Sequence, residues 1–272
     1  MEFSIAGARA YAYCGGRAFD AKRPVIVFIH GGAQDHSVWI LQSRYAAHHG
    51  YGVLAPDLPG HGRSSGAPLS RIADMADWTV ALLDAAGVRT AALVGHSMGS
   101  LVALDCAARH RERVSRIALL GTAFPMRVSP ALLEAARGDE AVAQNMINVW
   151  SHSAYAHYPS NPGPGFWVIG ENLRLMQRQK PGVLHADFAA CEGYADGLER
   201  AARIRCPALL LLGERDAMTP ARAATDLGRA IPGAKSMVLE DCGHSLMAEK
   251  PDAVLQHLIA FLEDSPSPAA QR

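Results

Sequence analysis

Short apolar runs recur along the chain: VIVFIHGG, YGVLAPDLPG, TAALVGHS, RIALLGTA, PALLLLGERD and SMVLEDCGH, each closing on small or polar residues. They lack the alternation of a sheet with one wet face, so they predict strands buried on both sides of a parallel sheet. Between them, residues 74–86, 101–110, 221–230 and 253–262 carry apolar positions at helical spacing, as crossover helices do. The N-terminal MEFSIAGARAYAYCGG alternates apolar and polar like strands. The predicted fold class is α/β, a mostly parallel central sheet with helices on both faces.

In such a sheet chemistry gathers beyond the carboxyl ends of the strands. The residues closing each run are therefore the ones to inspect: His30-Gly31-Gly32, Asp57, Ser97, Gly121-Thr122, Asp216 and His244. One interval is too long for a simple crossover. About eighty residues separate the run ending near Ala123 from the one starting near Pro207, where a helical crossover needs only ~10 to 30. A structureless loop of that length is unusual. The expected organisation is a core of residues 1–123 and 205–264, a helical cap at 124–204 over the active edge, and a flexible tail at 265–272. The interval is rich in aromatics. Trp150, Tyr155, Phe166 and Trp167, together with Trp39 outside it, are candidate pocket residues.

Composition narrows the function classes. Twenty-six basic residues balance twenty-six acidic ones among 272, which gives no footprint for nucleic-acid binding. No apolar run approaches the ~18 residues of a membrane span, and no secretory signal pattern opens the chain. Five cysteines, an odd number without CxxC spacing, favour reduced thiols and a cytoplasmic setting. No HExxH or clustered Cys and His set points to a metal, and no phosphate-binding or dinucleotide glycine pattern points to a nucleotide. No cofactor is expected.

The third run ends in Gly95-His96-Ser97-Met98-Gly99 and leads into a helical stretch. Ser97 could be a helix N-cap, or the exposed serine of a strained nucleophile elbow. A serine hydroxyl needs a base to take its proton, a group to orient that base, and donors for the oxyanion. Ser97, Asp216 and His244 supply these types in the order Ser, Asp, His. Glu214 and Asp241 compete with Asp216, but Glu214 falls on the opposite strand face and Asp241 only three residues before His244.

With HGGAQDHSVW, DLPGHGRS, VGHSMGS, LLGERDAMTP and EDCGHSLMAEKP in that order, the chain resembles the α/β-hydrolase superfamily over residues 3 to 263. It is most similar to the serine esterase-like branch with a helical cap. The resemblance implies Ser97 as nucleophile, His244 as general base and then acid, and Asp216 as its orienter. It implies backbone N–H groups of Gly32 and Met98 as the oxyanion hole, with Ala33 a weaker substitute for Gly32. It also implies that His30, His61 and His96 brace motif turns. Ser100 departs from a glycine repeated in many relatives, yet it is small enough for close helix packing. Glycine at 32, bulky in many relatives, is expected to leave room beside the acyl carbon.

A serine at the elbow excludes dehalogenase and epoxide hydrolase chemistry, which need a carboxylate there. The leading expectation is hydrolysis of a neutral, moderately hydrophobic small-molecule carboxylic ester through an acyl-enzyme. Alternatives are a lactonase, a thioesterase or a carbon-carbon bond hydrolase on the same triad, a cofactor-free perhydrolase or haloperoxidase, and a hydrolase-fold ligand receptor. Oligomeric state is not legible.

Overall fold

The computed structural model describes residues 1–157 and 167–264. Phe166 and the expected tail at 265–272 lie outside the described residues. Eight strands form one sheet: β1 (Glu2–Ile5), β2 (Ala8–Tyr13), β3 (Val25–Ile29), β4 (Gly52–Pro56), β5 (Ala91–His96), β6 (Val114–Leu120), β7 (Ala208–Gly213) and β8 (Lys235–Leu239). Their spatial order is β1-β2-β4-β3-β5-β6-β7-β8, with antiparallel pairing at β1-β2 and β2-β4 and parallel pairing from β4 to β8. Every residue of β3, β4, β5 and β7 is buried, which is why their sequences run apolar without alternation. β8 departs from the expectation of two covered faces. It is an edge strand, and four of its five residues are exposed.

Eleven α-helices are present among the described residues: α1 (Ile40–His48), α2 (Ile72–Ala85), α3 (Met98–Arg109), α4 (Pro130–Gly138), α5 (Glu140–Ser151), α6 (Val168–Gln177), α7 (Val183–Glu192), α8 (Gly197–Ala202), α9 (Thr225–Ala230), α10 (Leu246–Glu249) and α11 (Pro251–Glu263). Two apolar layers sandwich the sheet. On one face Ile72, Met75 and Leu82 of α2 and Leu101 and Leu104 of α3 pack against inward residues of the strands. On the other, Ala46 and Ala47 of α1 and Val254, Leu258 and Phe261 of α11 do the same. Each buried Ile, Leu, Met, Val or Phe side chain among these contributes about 1.5–3 kcal/mol, which holds the helices on the sheet.

Helices α4 to α8 occupy the interval between β6 and β7. They build a small apolar cluster of their own, with Leu132, Ile147, Met176, Leu184 and Phe188, and that cluster takes in Ala33 from the loop after β3. The end of the insert returns to the main core through Ala201 and Ile204.

Candidate active site

The elbow is built by two close approaches. A Cβ on Gly95 would lie 2.0 Å from the Gly99 carbonyl oxygen, and one on Gly99 would lie 2.4 Å from the Ile29 carbonyl oxygen. Only glycine at both positions lets α3 start this tightly against β5 and β3. Between them Ser97 has φ 52° and ψ −119°, a left-handed backbone uncommon for a side-chain-bearing residue. Its N–H donates to the Leu120 carbonyl at 2.9 Å, and its side chain does not cap the helix. The N-cap reading of Ser97 is thereby set aside. Ser100 is fully buried, its Oγ 2.5 Å from the Ser97 carbonyl and 2.8 Å from Thr122 Oγ1, so this departure from glycine reinforces the turn.

His244 and Asp216 meet from the loops after β8 and β7. His244 Nδ1 donates to Asp216 Oδ2 at 2.8 Å, both side chains being buried. Asp216 also accepts the N–H groups of Met218 (2.8 Å) and Thr219 (2.7 Å) on Oδ1, and the Thr219 hydroxyl (2.8 Å) on Oδ2. Burial alone would raise this carboxyl, but the His244 charge and these hydrogen bonds outweigh it and hold Asp216 below the ordinary aspartate value. The competitors lie elsewhere: Glu214 accepts the Asp241 N–H, and Arg215 pairs with both acids.

The His244 loop is fastened from two sides. Its carbonyl accepts from His96 Nε2 at 2.8 Å, and its N–H donates to the Ser151 carbonyl of α5 at 2.8 Å. Ser97 and His244 line one small chamber with Gly31, Gly32, Met176, Phe188 and Met218. Among the described residues no hydrogen bond joins Ser97 Oγ to His244. In substrate-free sites such bonds are often long and close only when substrate binds.

Beside the elbow the Gly31-Gly32-Ala33 loop has its peptides fixed. Leu58 N–H donates to His30 Nε2 at 3.1 Å, so the ring proton sits on Nδ1, which donates to the Gly31 carbonyl at 2.8 Å. In a trans peptide the Gly32 N–H then points the opposite way. The Met98 N–H is the first of a helix and has no intrahelical acceptor. Ala33 N–H is not free, because it donates to Asp187 Oδ2 of α7 at 2.7 Å. Of the two candidate donors in this loop, Gly32 is the one left available.

Asp57, at another strand end, serves structure. It accepts the N–H and ring nitrogen of His36 and the N–H of Arg63, and so pins the DLPGHGRS loop.

Two cavities flank the chamber. One of about 140 Å³ is lined by Ser97, Met126, Leu132, Trp150, Phe188 and Met218. The other, about 290 Å³, is bounded by Val38, Leu41, Asn172, Leu175 and Met247, and shares Gln34 and Asn172 with the chamber. Of the aromatic candidates, Trp150 lines the smaller cavity. Trp39 does not: it is wholly buried against Phe28 in the apolar layer beneath the sheet, which corrects its assignment to the pocket. Trp167 is 69% exposed and lies across Gly170, and Tyr155 is 49% exposed, so neither faces these cavities. Phe188, Met218 and Met176 were not found from the sequence. Thr219 stands in the quoted LLGERDAMTP, but nothing in its spacing reveals its bond to Asp216.

Comparison with known proteins bears on the family and the fold. A family model described as alpha/beta hydrolase fold matches residues 24–251. A pimeloyl-[acyl-carrier protein] methyl ester esterase of Aromatoleum aromaticum is 32% identical over 244 residues, 85% of this chain and 94% of that protein. The (E)-2-((N-methylformamido)methylene)succinate hydrolase of Acinetobacter baylyi is 25% identical over 248 residues, 89% of this chain and 91% of the relative. Among solved structures, the enol-lactonase of Burkholderia xenovorans superposes with a TM-score of 0.85 at 25% identity, covering 97% of this chain and all of the other.

Proposed function

Since the chain belongs to the alpha/beta hydrolase fold family, we propose that it hydrolyses a small carboxylic ester through an acyl-enzyme on Ser97. His244 Nε2 takes the Ser97 proton as Oγ attacks the carbonyl carbon. The oxyanion that forms is met by the N–H groups of Gly32 and Met98, the second strengthened by the start of α3. Collapse expels the alcohol, which receives the proton from His244. A water activated by the same imidazole then releases the acid. Asp216 keeps His244 in the required tautomer, and Thr219 steadies Asp216. The observation that carries this reading is the strained Ser97 elbow sharing a chamber with an imidazole already bonded to a buried carboxylate.

Met126, Leu132, Trp150, Phe188 and Met218 in the lining of the smaller cavity suit a neutral, moderately hydrophobic acyl or alcohol group, and Arg127, the one cation among its described lining residues, is already paired with Glu192. Helices α4 to α7 act as the cap over it. Lactone opening on the same residues is the second reading, favoured by the full-length superposition on an enol-lactonase.

A fluorophosphonate probe tests the mechanism. It is expected to add one phosphonyl group per chain, mapped by mass spectrometry to the peptide holding Ser97, and to leave Ser97→Ala unlabelled. Substantial ester turnover by Ser97→Ala refutes the assignment. A parallel panel of esters, thioesters and lactones ranks the substrate classes by kcat/KM.

A further inference from the structure

Three consecutive residues after Gly32 are each held by the helical insert. The Ala33 side chain is buried in the insert's own apolar cluster, and its N–H donates to Asp187 Oδ2 at 2.7 Å. Gln34 Nε2 reaches Asn172 Oδ1 at 3.4 Å while its Oε1 accepts the Gly31 N–H at 3.1 Å. Asp35 takes Nε and Nη2 of Arg178 at 3.0 and 2.9 Å. Ala33 sits at φ 55°, a left-handed conformation that an alanine keeps only when its surroundings impose it.

Asp187 is the centre of this clasp. It is fully buried on α7, 154 positions along the chain from Ala33. A lone buried carboxylate costs several kcal/mol. Here a cation stands beside it: His61 Nε2 lies 2.8 Å from the same Oδ2. His61 Nδ1 lies 3.0 Å from the Pro59 carbonyl oxygen, which can only accept. Both ring nitrogens therefore donate, and His61 is an imidazolium. Burial opposes that charge, but Asp187 and the two hydrogen bonds outweigh it and raise His61 above the ordinary histidine value. The pair is neutral overall, so it does not repel an oxyanion forming next door.

The two peptides that bracket Gly32 are thus locked by different groups. His30 holds the Gly31 carbonyl on one side and Asp187 holds the Ala33 N–H on the other. We infer that Asp187, paired with His61, is a positioning residue through which the insert sets the Gly32 N–H for the oxyanion, so that the hole is complete only with the insert seated on the loop. The inference rests on the proposed role of Gly32 in ester hydrolysis.

The test compares Asp187→Ala, Asp187→Asn and Ser97→Ala in the full chain. Each is assayed for kcat and KM on an activated short ester, and for inhibition by a trifluoromethyl ketone that forms a hemiketal oxyanion on serine. Losing a positioned oxyanion donor costs about a hundredfold or more in kcat. Asp187→Ala is expected to approach that loss with KM little changed, and the ketone should weaken in parallel. Asp187→Asn retains an acceptor for Ala33 but not the charge on His61, so it should fall between wild type and Asp187→Ala. If Asp187→Ala does not fold, Asp187→Asn decides alone through the same parallel loss of kcat and ketone affinity. A folded variant with wild-type kcat and ketone affinity, or one altered in KM only, overturns the inference, provided that Ser97→Ala is inactive. If Ser97→Ala remains active, the ester mechanism itself is wrong.

Discussion

At the residue scale the site divides into groups that would touch substrate and groups that hold them. Asp216 belongs to the second kind, with three hydrogen bonds from Met218 and Thr219 besides the one from His244. Replacing it by Asn reverses the donor requirement at His244 Nδ1 and is expected to lower kcat by about a thousandfold or more without unfolding the chain. Thr219→Val removes one hydrogen bond to an ionised carboxylate, worth about 1.5–3 kcal/mol, so a kcat/KM lower by about ten- to a hundredfold is expected. Steady-state kinetics on one ester checks both, and equal losses would mean that Thr219 does more than steady a carboxylate. Gly32 bears on acyl size. A Cβ there would meet Asp187 Cβ and Phe188 Cε1 at 3.4 Å, ordinary contact, so Gly32→Ala is expected to be tolerated. A tryptophan would have to displace Phe188 and α7, so Gly32→Trp should cost activity on every acyl chain instead of simply narrowing the preference. Ser97, Asp216 and His244 were legible because short motifs carry them at strand ends. Thr219 was not, because its role depends on a turn that folds its hydroxyl back onto a residue three positions earlier.

At the element scale the glycines decide how closely helices meet strands. A methyl at Gly99 would press on the Ile29 and His30 carbonyl oxygens at 2.4 and 2.5 Å, backbone atoms that cannot turn aside. Gly99→Ala should therefore push α3 off the sheet and destabilise the fold by about 1–3 kcal/mol, with loss of activity at temperatures where the chain is still folded. Urea unfolding and an ester assay on the same sample check this, and full activity with full stability would show that the elbow has slack. The strands β3 to β7 were readable as continuous apolar runs because both faces are covered, whereas β8 looked the same and lies at the edge. The insert was readable from its length alone. Its contacts were not, since Asp187 to Ala33 or Arg178 to Asp35 join residues more than a hundred positions apart, with no local pattern to announce them. Counting aromatics selected Trp39 and Trp167, yet size alone does not say whether a ring is sealed beneath the sheet or left against solvent.

At the scale of the whole molecule, equal numbers of basic and acidic residues leave little global charge to drive acid unfolding near neutrality. Specific buried groups set the pH response instead. Burial, and then the charge of His61, lowers His30 to about 4; burial, and then His244, lowers His96 to about 3. Unfolding frees both to titrate near the ordinary histidine value of about 6.5. Between that value and the folded ones the unfolded chain binds more protons, so stability falls as pH drops through the window. The loss is bounded by about 1.4 kcal/mol per pH unit for each ring. His61, raised by its carboxylate, works in the opposite direction, adding stability that is present in acid and lost as pH rises through its folded value. Asp57 and Asp216, both held low, keep their contribution until pH falls below the ordinary aspartate range. Urea midpoints should therefore decline from about pH 6.5 toward 4, before the carboxylates titrate. His96→Asn isolates one contributor, because an amide can still donate to the His244 carbonyl yet cannot take up a proton in this range. It should flatten that decline while preserving stability at pH 8. An unchanged slope would mean that His96 is not the buried neutral ring its surroundings require, and the bracing of His244 would need another explanation.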